Sequence, residues 1–117
     1  MSEGKIVEKI LRDLRIGIYQ LLIIKILLEK GPLHGYAIRK TIEELSNGRL
    51  RPSESTIYDT LKKLEKLRIV ESFWGHSPFG GPMRKYYKVK DLGKKVLEDT
   101  LKEFSQIYKL IMGWDIE

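Results

Sequence analysis

Along most of this chain apolar residues return every three or four positions, the spacing of one helical face, and only one region departs from it. From Glu3 to Arg15 the positions Ile6, Val7, Ile10, Leu11 and Leu14 make an amphipathic helix. Gly17 is expected to break or bend the chain before the next one. Ile18 to Glu29 is apolar on nearly every side, which predicts a central buried helix ended by Gly31-Pro32. A third helix opens at His34-Gly35-Tyr36, draws its core contacts from Tyr36, Ile38, Ile42 and Leu45, and closes at Asn47-Gly48.

The basic link Arg49-Leu50-Arg51 leads to the helix around which the rest is arranged. Pro52 and Ser53 give a helix-start signal, since a serine hydroxyl accepts a bond from a free first-turn N–H. Ile57, Leu61, Leu64 and Leu67 then fall on one buried stripe. Ser55, Asp59, Lys62 and Lys66 lie opposite, flanked by Tyr58 and Lys63. Such a face suits a DNA groove, and it equally suits an ordinary solvated surface.

After Leu67 the period becomes extended. Ile69 to Trp74 and Arg84 to Val89 read as two strands around a turn-rich loop, Gly75 to Met83. Three helices followed by a hairpin is the order of a winged helix-turn-helix, with the loop as the wing. Asp91 is expected to cap a final helix running to about Gly113. In it Leu97, Leu101, Phe104, Tyr108 and Ile111 step by four and three, a heptad seam that predicts pairing with a second copy; the alternative is that it folds back on its own core. The expected fold is mainly α with a small β-hairpin. Residues 1–90 form the DNA-binding unit, including the helix 3–15, and residues 91–117 a dimerisation helix packed into the same compact body.

Charge placement sharpens this picture. The 117 residues carry a net charge of +6, yet Arg49 through Lys95 hold 12 Lys and Arg against 5 Asp and Glu. The remainder holds 10 against 11, so the whole excess lies around the organising helix and the hairpin. A confined basic patch is the footprint of phosphate binding. With no cysteine, disulfides and thiolate metal sites are excluded. His34 and His76 lack companions at ligand spacing, so neither a metal nor a cofactor is expected. No nucleophile–base set or phosphate cradle points to an enzyme. The start has no signal-peptide pattern, and the oiliest segment, Ile16 to Leu28, is short for a bilayer and carries Gln20 and Lys25. A cytoplasmic protein without a membrane partner is expected.

The signature Gly31-Pro32-Leu33-His34-Gly35-Tyr36, then Ser53, Thr56-Ile57-Tyr58 and Thr60-Leu61-Lys62-Lys63-Leu64-Glu65, resembles the PadR family of transcriptional regulators. The resemblance continues through Ile69-Val70-Glu71-Ser72, Gly80-Gly81-Pro82-Met83-Arg84-Lys85-Tyr86-Tyr87 and the helix start at Gly93, about two-thirds of the chain in order. It implies a dimeric winged-helix repressor of double-stranded DNA whose last helix, with the first, builds the dimer. It also implies that small aromatic or drug-like compounds can act as inducers. Three positions depart from the family pattern. Asp59 stands where proline is frequent, Lys90 replaces a common threonine, and Arg68 stands where glycine usually ends the helix. Arg68 must therefore be left-handed, or the turn is built differently.

Lys62, Lys63 and Lys66 are the expected phosphate contacts. Ser55, Thr56 and Asp59, nearer the helix start, are candidates for base edges, and Ser53 is counted with them among the DNA-facing residues. Tyr58 is expected to combine packing against the wing with reach to a phosphate, the alternative being packing alone. Arg84 and Lys85 edge the wing and can enter a minor groove or bind backbone. The expected dimer surface is Leu97, Leu101, Phe104, Tyr108 and Ile111, with Ile6, Ile10 and Leu14 covering its edge. Trp114 either caps the terminal helix or walls an inducer pocket between protomers. A protein-binding scaffold without specific DNA affinity is the alternative function.

Overall fold

A computed structural model of the chain describes residues 2–113. Its first element, α1, runs unbroken from Glu3 to Lys30. The expected break at Gly17 does not occur. A lone glycine costs only about 1 kcal/mol in a helix, and nothing lies within 4 Å of where its Cβ would be. The helix is secured at both ends instead. Ser2 accepts from the Lys5 N–H, and the C-terminal turn buries Tyr19, Ile23, Ile24, Ile26 and Leu27.

The chain continues through β1 (Leu33–His34), α2 (Gly35–Leu45), α3 (Glu54–Lys66), β2 (Val70–Gly75), β3 (Arg84–Val89) and α4 (Asp91–Met112). The sheet is antiparallel in the order β1-β3-β2, with Val70 opposite Val89 and Gly75 opposite Arg84. The two-residue strand β1 was not expected from the sequence, being too short to show a period; it pairs Leu33 with Tyr87 and His34 with Tyr86. Ile38 and Ile42 of α2, Ile57, Leu61 and Leu64 of α3, and Val70 and Tyr87 of the sheet close one core with the end of α1. This is a winged helix-turn-helix, with the β2–β3 hairpin as its wing.

Three residues expected in the core lie outside it. Leu67 is half-exposed because α3 ends at Lys66, which turns its side chain into a groove beside α1 and α4. Leu45 ends α2, past the last core contact at Ile42. Tyr36 stays outside to stack on His34 and to receive the Arg39 guanidinium, 5.3 Å from its ring centre. Asp91 does not cap α4 either. The chain leaves β3 extended only through Lys90, so Lys90 takes the cap position, without a side-chain bond, and Asp91 falls in the first turn, where the helix dipole favours it.

The turn after α3 is left-handed at Arg68, with φ 62°. The Ile69 N–H donates to the Leu64 carbonyl at 3.0 Å and the Arg68 N–H to the Glu65 carbonyl at 2.9 Å. That pair is a Schellman closure with arginine where glycine would be unstrained. Left-handed backbone costs a residue with a Cβ about 1–2 kcal/mol, partly offset in a Gly variant by its looser unfolded chain. Arg68→Gly should therefore raise stability by about 0.5–1 kcal/mol in a urea titration. A lower midpoint would mean that the arginine side chain contributes more than its backbone costs.

His34 holds β1 and α2 together. Its Nδ1 accepts from the Ala37 N–H at 3.2 Å, capping α2, while its ring stacks on Tyr36 and meets Tyr86 edge-on. Only the neutral ring can accept this bond. Burial, then the nearby Arg84 charge, holds its pKa below the usual 6.5. The stability it contributes is complete above that value and is lost as pH falls through the lower folded one. Urea midpoints between pH 8 and 5 should fall more for the parent than for His34→Asn, which accepts the same bond without titrating. Equal pH dependence in the two proteins would remove His34 from this role.

Candidate nucleic-acid interface

The N-terminus of α3 is built from hydroxyls. Pro52 is buried and fixes the entry, and the Ser53 Oγ accepts from the Thr56 N–H at 3.1 Å. The same hydroxyl reaches Thr56 Oγ1 at 2.9 Å and Ser55 Oγ at 3.1 Å, so three side chains form one polar cluster. Ser55, Asp59, Lys62, Lys63 and Lys66 are exposed, because Ile57, Thr60, Leu61 and Leu64 take the buried side. The Thr60 hydroxyl is satisfied within the helix, donating to the Thr56 carbonyl at 2.7 Å. The cap cluster points free donors and a positive helix end toward whatever lies in front.

Tyr58 joins this helix to the wing. Its ring lies against Gly35, where a Cβ would come within 2.7 Å of the Tyr58 ring, so a larger residue there would push the ring aside. Beyond it a cleft of about 440 Å³ is lined by His34, Tyr36, Tyr58, Trp74, Arg84, Lys85 and Tyr87. A second hollow of about 400 Å³ continues along α3 between Tyr58, Lys62, Glu65, Lys66, Lys85 and Tyr87. The Lys85 ammonium stands 5.8 Å from the Tyr87 ring centre. Burial, then the charge of Glu65 and the neighbouring Tyr58, pushes the Tyr87 phenol up to about 12, so it stays a neutral donor near pH 7. Glu65, the one carboxylate at the cleft, accepts from the Ser72 hydroxyl at 3.1 Å.

Five expected residues thus converge: Tyr58, Lys62 and Lys66 from α3 with Arg84 and Lys85 from β3. Ser53, Ser55 and Asp59 run along the helix front, while Thr56 and Lys63 fall on the flank away from the wing. Trp74, Glu65 and Tyr87 line the cleft without having been expected there. A signal for them exists. Val70, Ser72 and Trp74 share one face of β2, paired with Val89, Tyr87 and Lys85, so a buried Val70 places Trp74 and Lys85 on the α3 side.

The residues expected at a dimer surface divide. Leu97, 7% exposed, belongs to the chain's own core. Ile6, Ile10 and Leu14 on α1 and Leu101, Phe104, Tyr108 and Ile111 on α4 are all substantially exposed, with Phe104 and Tyr108 in edge-to-face contact. Between the two helices lies an apolar groove of about 540 Å³, lined by Leu14, Ile18, Leu21, Leu67, Phe104 and Ile107 among others. Trp114 lies outside the described residues. Among the described residues no group of His, Asp and Glu could hold a metal ion, and no helix is long and apolar enough to cross a membrane.

Comparison with known proteins identifies this arrangement. Residues 23–99 match the model of the transcriptional regulator PadR-like family. An uncharacterized protein from Lysinibacillus sphaericus is 33% identical over 90 residues, covering 77% of this chain and 81% of its own. A PadR family transcription regulator from Clostridium difficile R20291 is 32% identical, with a TM-score of 0.67 over 81% of this chain and 95% of its own. A transcriptional regulator from Clostridium thermocellum is 26% identical, with a TM-score of 0.77 over 89% and 96%. A PadR family regulator from Eggerthella lenta shares the fold at 24% identity, with a TM-score of 0.79 over 94% and 92%. The winged helix with its polar α3 face thus has its place: this chain belongs to the PadR-like family of transcriptional regulators, which are not enzymes.

Proposed function

We propose that this chain is a cytoplasmic repressor that binds operator DNA as a homodimer and is released by a small aromatic or drug-like ligand. The observation that carries the DNA reading is the convergence of Tyr58, Lys62 and Lys66 with Arg84 and Lys85 around two adjoining hollows that share Tyr58 and Lys85, beside the exposed front of α3. Residues 1–90 do the reading. α3 enters a major groove, with Ser55, Thr56 and Asp59 at base edges and Ser53 holding the helix end. Lys62, Lys63 and Lys66 meet phosphates, and Arg84 and Lys85 follow the backbone beside the wing.

Residues 91–117 and the start of α1 make the dimer. The exposed surface of the single chain is 8613 Å². A compact monomer of its 13.7 kDa would expose about 6600 Å². An excess on the order of 2000 Å² per chain, about 4000 Å² for two chains together, lies in the range of obligate homodimer interfaces. It accompanies the apolar stripes Ile6, Ile10 and Leu14 on α1 and Leu101, Phe104 and Ile111 on α4, which are substantially exposed in one chain. The groove between these helices is large enough for a flat aromatic compound and borders both stripes, which supports a ligand that acts through the dimer.

An operator duplex is first recovered by selecting bound fragments from a random-sequence pool. Lys62→Ala should then weaken operator and random duplex about equally, as a phosphate contact does. Ser55→Ala and Thr56→Ala should narrow the gap between them, by about 1–3 kcal/mol for a base-edge bond. If all three bind like the parent at equilibrium, α3 is not the reader.

For the dimer, Leu101→Glu puts a carboxylate into the middle of the α4 stripe, where burial without a partner is unfavourable. Sedimentation should give a monomer, and operator affinity should fall by at least tenfold. A folded dimer with parental affinity would show that α4 pairs through another face.

A further inference from the structure

Phe79 is 99% exposed at the tip of the wing. Scattered apolar side chains on a surface need no explanation, but this one stands on a built platform. The Gly80 N–H donates to the Ser77 carbonyl at 3.0 Å, closing a four-residue turn with Pro78 and Phe79 at its corners. Proline fixes the first corner. The Phe79 N–H donates to the Ser77 Oγ at 3.2 Å, fixing the second. Gly80 and Gly81, at φ 88° and 99°, then carry the chain back toward β3 through backbone that other residues rarely adopt. The turn therefore holds the phenyl ring outward from the end of a two-stranded ribbon, where no residue of its own chain covers it.

The surroundings indicate the partner. From Ser72 to Lys90 the hairpin contains Arg84, Lys85, Lys88 and Lys90 and no aspartate or glutamate. Two carboxylates meet its strands, both at the end away from the tip: Glu71, held by Lys88 at 3.2 Å, and Glu65 of α3, which accepts from the Ser72 hydroxyl at 3.1 Å. An apolar ring presented on a ribbon whose outer half, Phe73 to Tyr86, carries Arg84 and Lys85 and no carboxylate fits a polyanion with an apolar interior behind its charged rim. Duplex DNA entered from its minor groove is such a partner, and apolar wedges there part base steps and bend the helix.

We propose that Phe79 is a wedge: when α3 occupies the major groove, the wing lies along the adjacent minor groove and the Phe79 ring enters a base step, unstacking and bending it. This rests on the DNA-binding reading of α3 and adds to it a deformation of the target at positions α3 does not touch. Flexible steps of the pyrimidine–purine kind would then be favoured beneath the wing, because they part at least cost. The division of labour is plain. Arg84 and Lys85 hold the ribbon to the backbone, and Phe79 selects deformable sequence.

The test uses the full-length chain and the selected operator duplex carrying 2-aminopurine at successive positions, whose fluorescence rises when its base unstacks. The parent should raise the signal at one step per half-site, outside the α3 footprint. Phe79→Ala should abolish the rise and weaken binding by about tenfold, the range for losing one ring–base contact, with an unchanged urea midpoint. Phe79→Leu, which keeps an apolar wedge, should retain most of the rise. Lys85→Ala should weaken binding yet keep the rise at saturating protein. A parent that binds without raising the signal anywhere, or a Phe79→Ala variant with the parental signal, overturns the wedge and leaves the α3 reading intact. Failure of the parent to bind any duplex overturns both. A change in sedimenting mass on Phe79→Ala, without a change in the DNA signal, would place the ring against protein and also overturn it.

Discussion

Burial of one side of α3 is the constraint on which the other features depend. Ile57, Leu61 and Leu64 are each at most 1% exposed, set against α1, α2 and the sheet. Full burial of such side chains contributes about 1.5–3 kcal/mol each, enough to fix the helix's rotation about its own axis. Once that rotation is fixed, Ser55, Asp59, Lys62 and Lys66 have only the solvent side available. Tyr58, at the margin, is carried to Gly35 and the wing. The cleft is thus a by-product of core packing. A glycine at the first position of α2 and a tyrosine on α3 need only match.

Much of this was legible in the chain, because hydrophobic period reports burial directly. The three core helices and the hairpin follow from spacing and turn chemistry, and the left-handed option at Arg68 from the family resemblance. What was not legible depended on neighbours. Gly17 looked like a break, but local propensity near 1 kcal/mol is small beside the buried turn that follows it in α1. β1 has two residues and takes its strand character only from pairing with Tyr86 and Tyr87. The cap of α4 moved to Lys90 because β3 dictates where extended backbone ends. At the site, the cations of α3 were visible, whereas Trp74 and Glu65 acquired meaning only when the hairpin folded over the helix.

The chain carries two surfaces at opposite electrostatic extremes. One is polar and cationic, where α3 meets the wing. The other is apolar, where the outer halves of α1 and α4 project with Ile10, Leu14, Leu101 and Phe104 exposed. Each is unfavourable to leave in water for a different reason, charge repulsion in the first and hydration of apolar area in the second. The two-fold dimer proposed above would relieve both together, covering the stripes and setting two copies of α3 against successive turns of the duplex. In the proposed dimer, coupling between them would be mechanical. A ligand seated in the groove beside Leu67, next to the end of α3, is in a position to alter the spacing of the two readers.

The most direct measurement is the salt dependence of operator binding by the parental protein. Each phosphate neutralised releases counterions, with a slope near −0.9 per contact in a plot of log affinity against log salt. Two protomers offering Lys62, Lys63, Lys66, Arg84 and Lys85 would make about ten such contacts, for a slope of about −9. A flat plot, or no binding to any duplex at low salt, would contradict the central claim and make the winged helix a scaffold for protein partners.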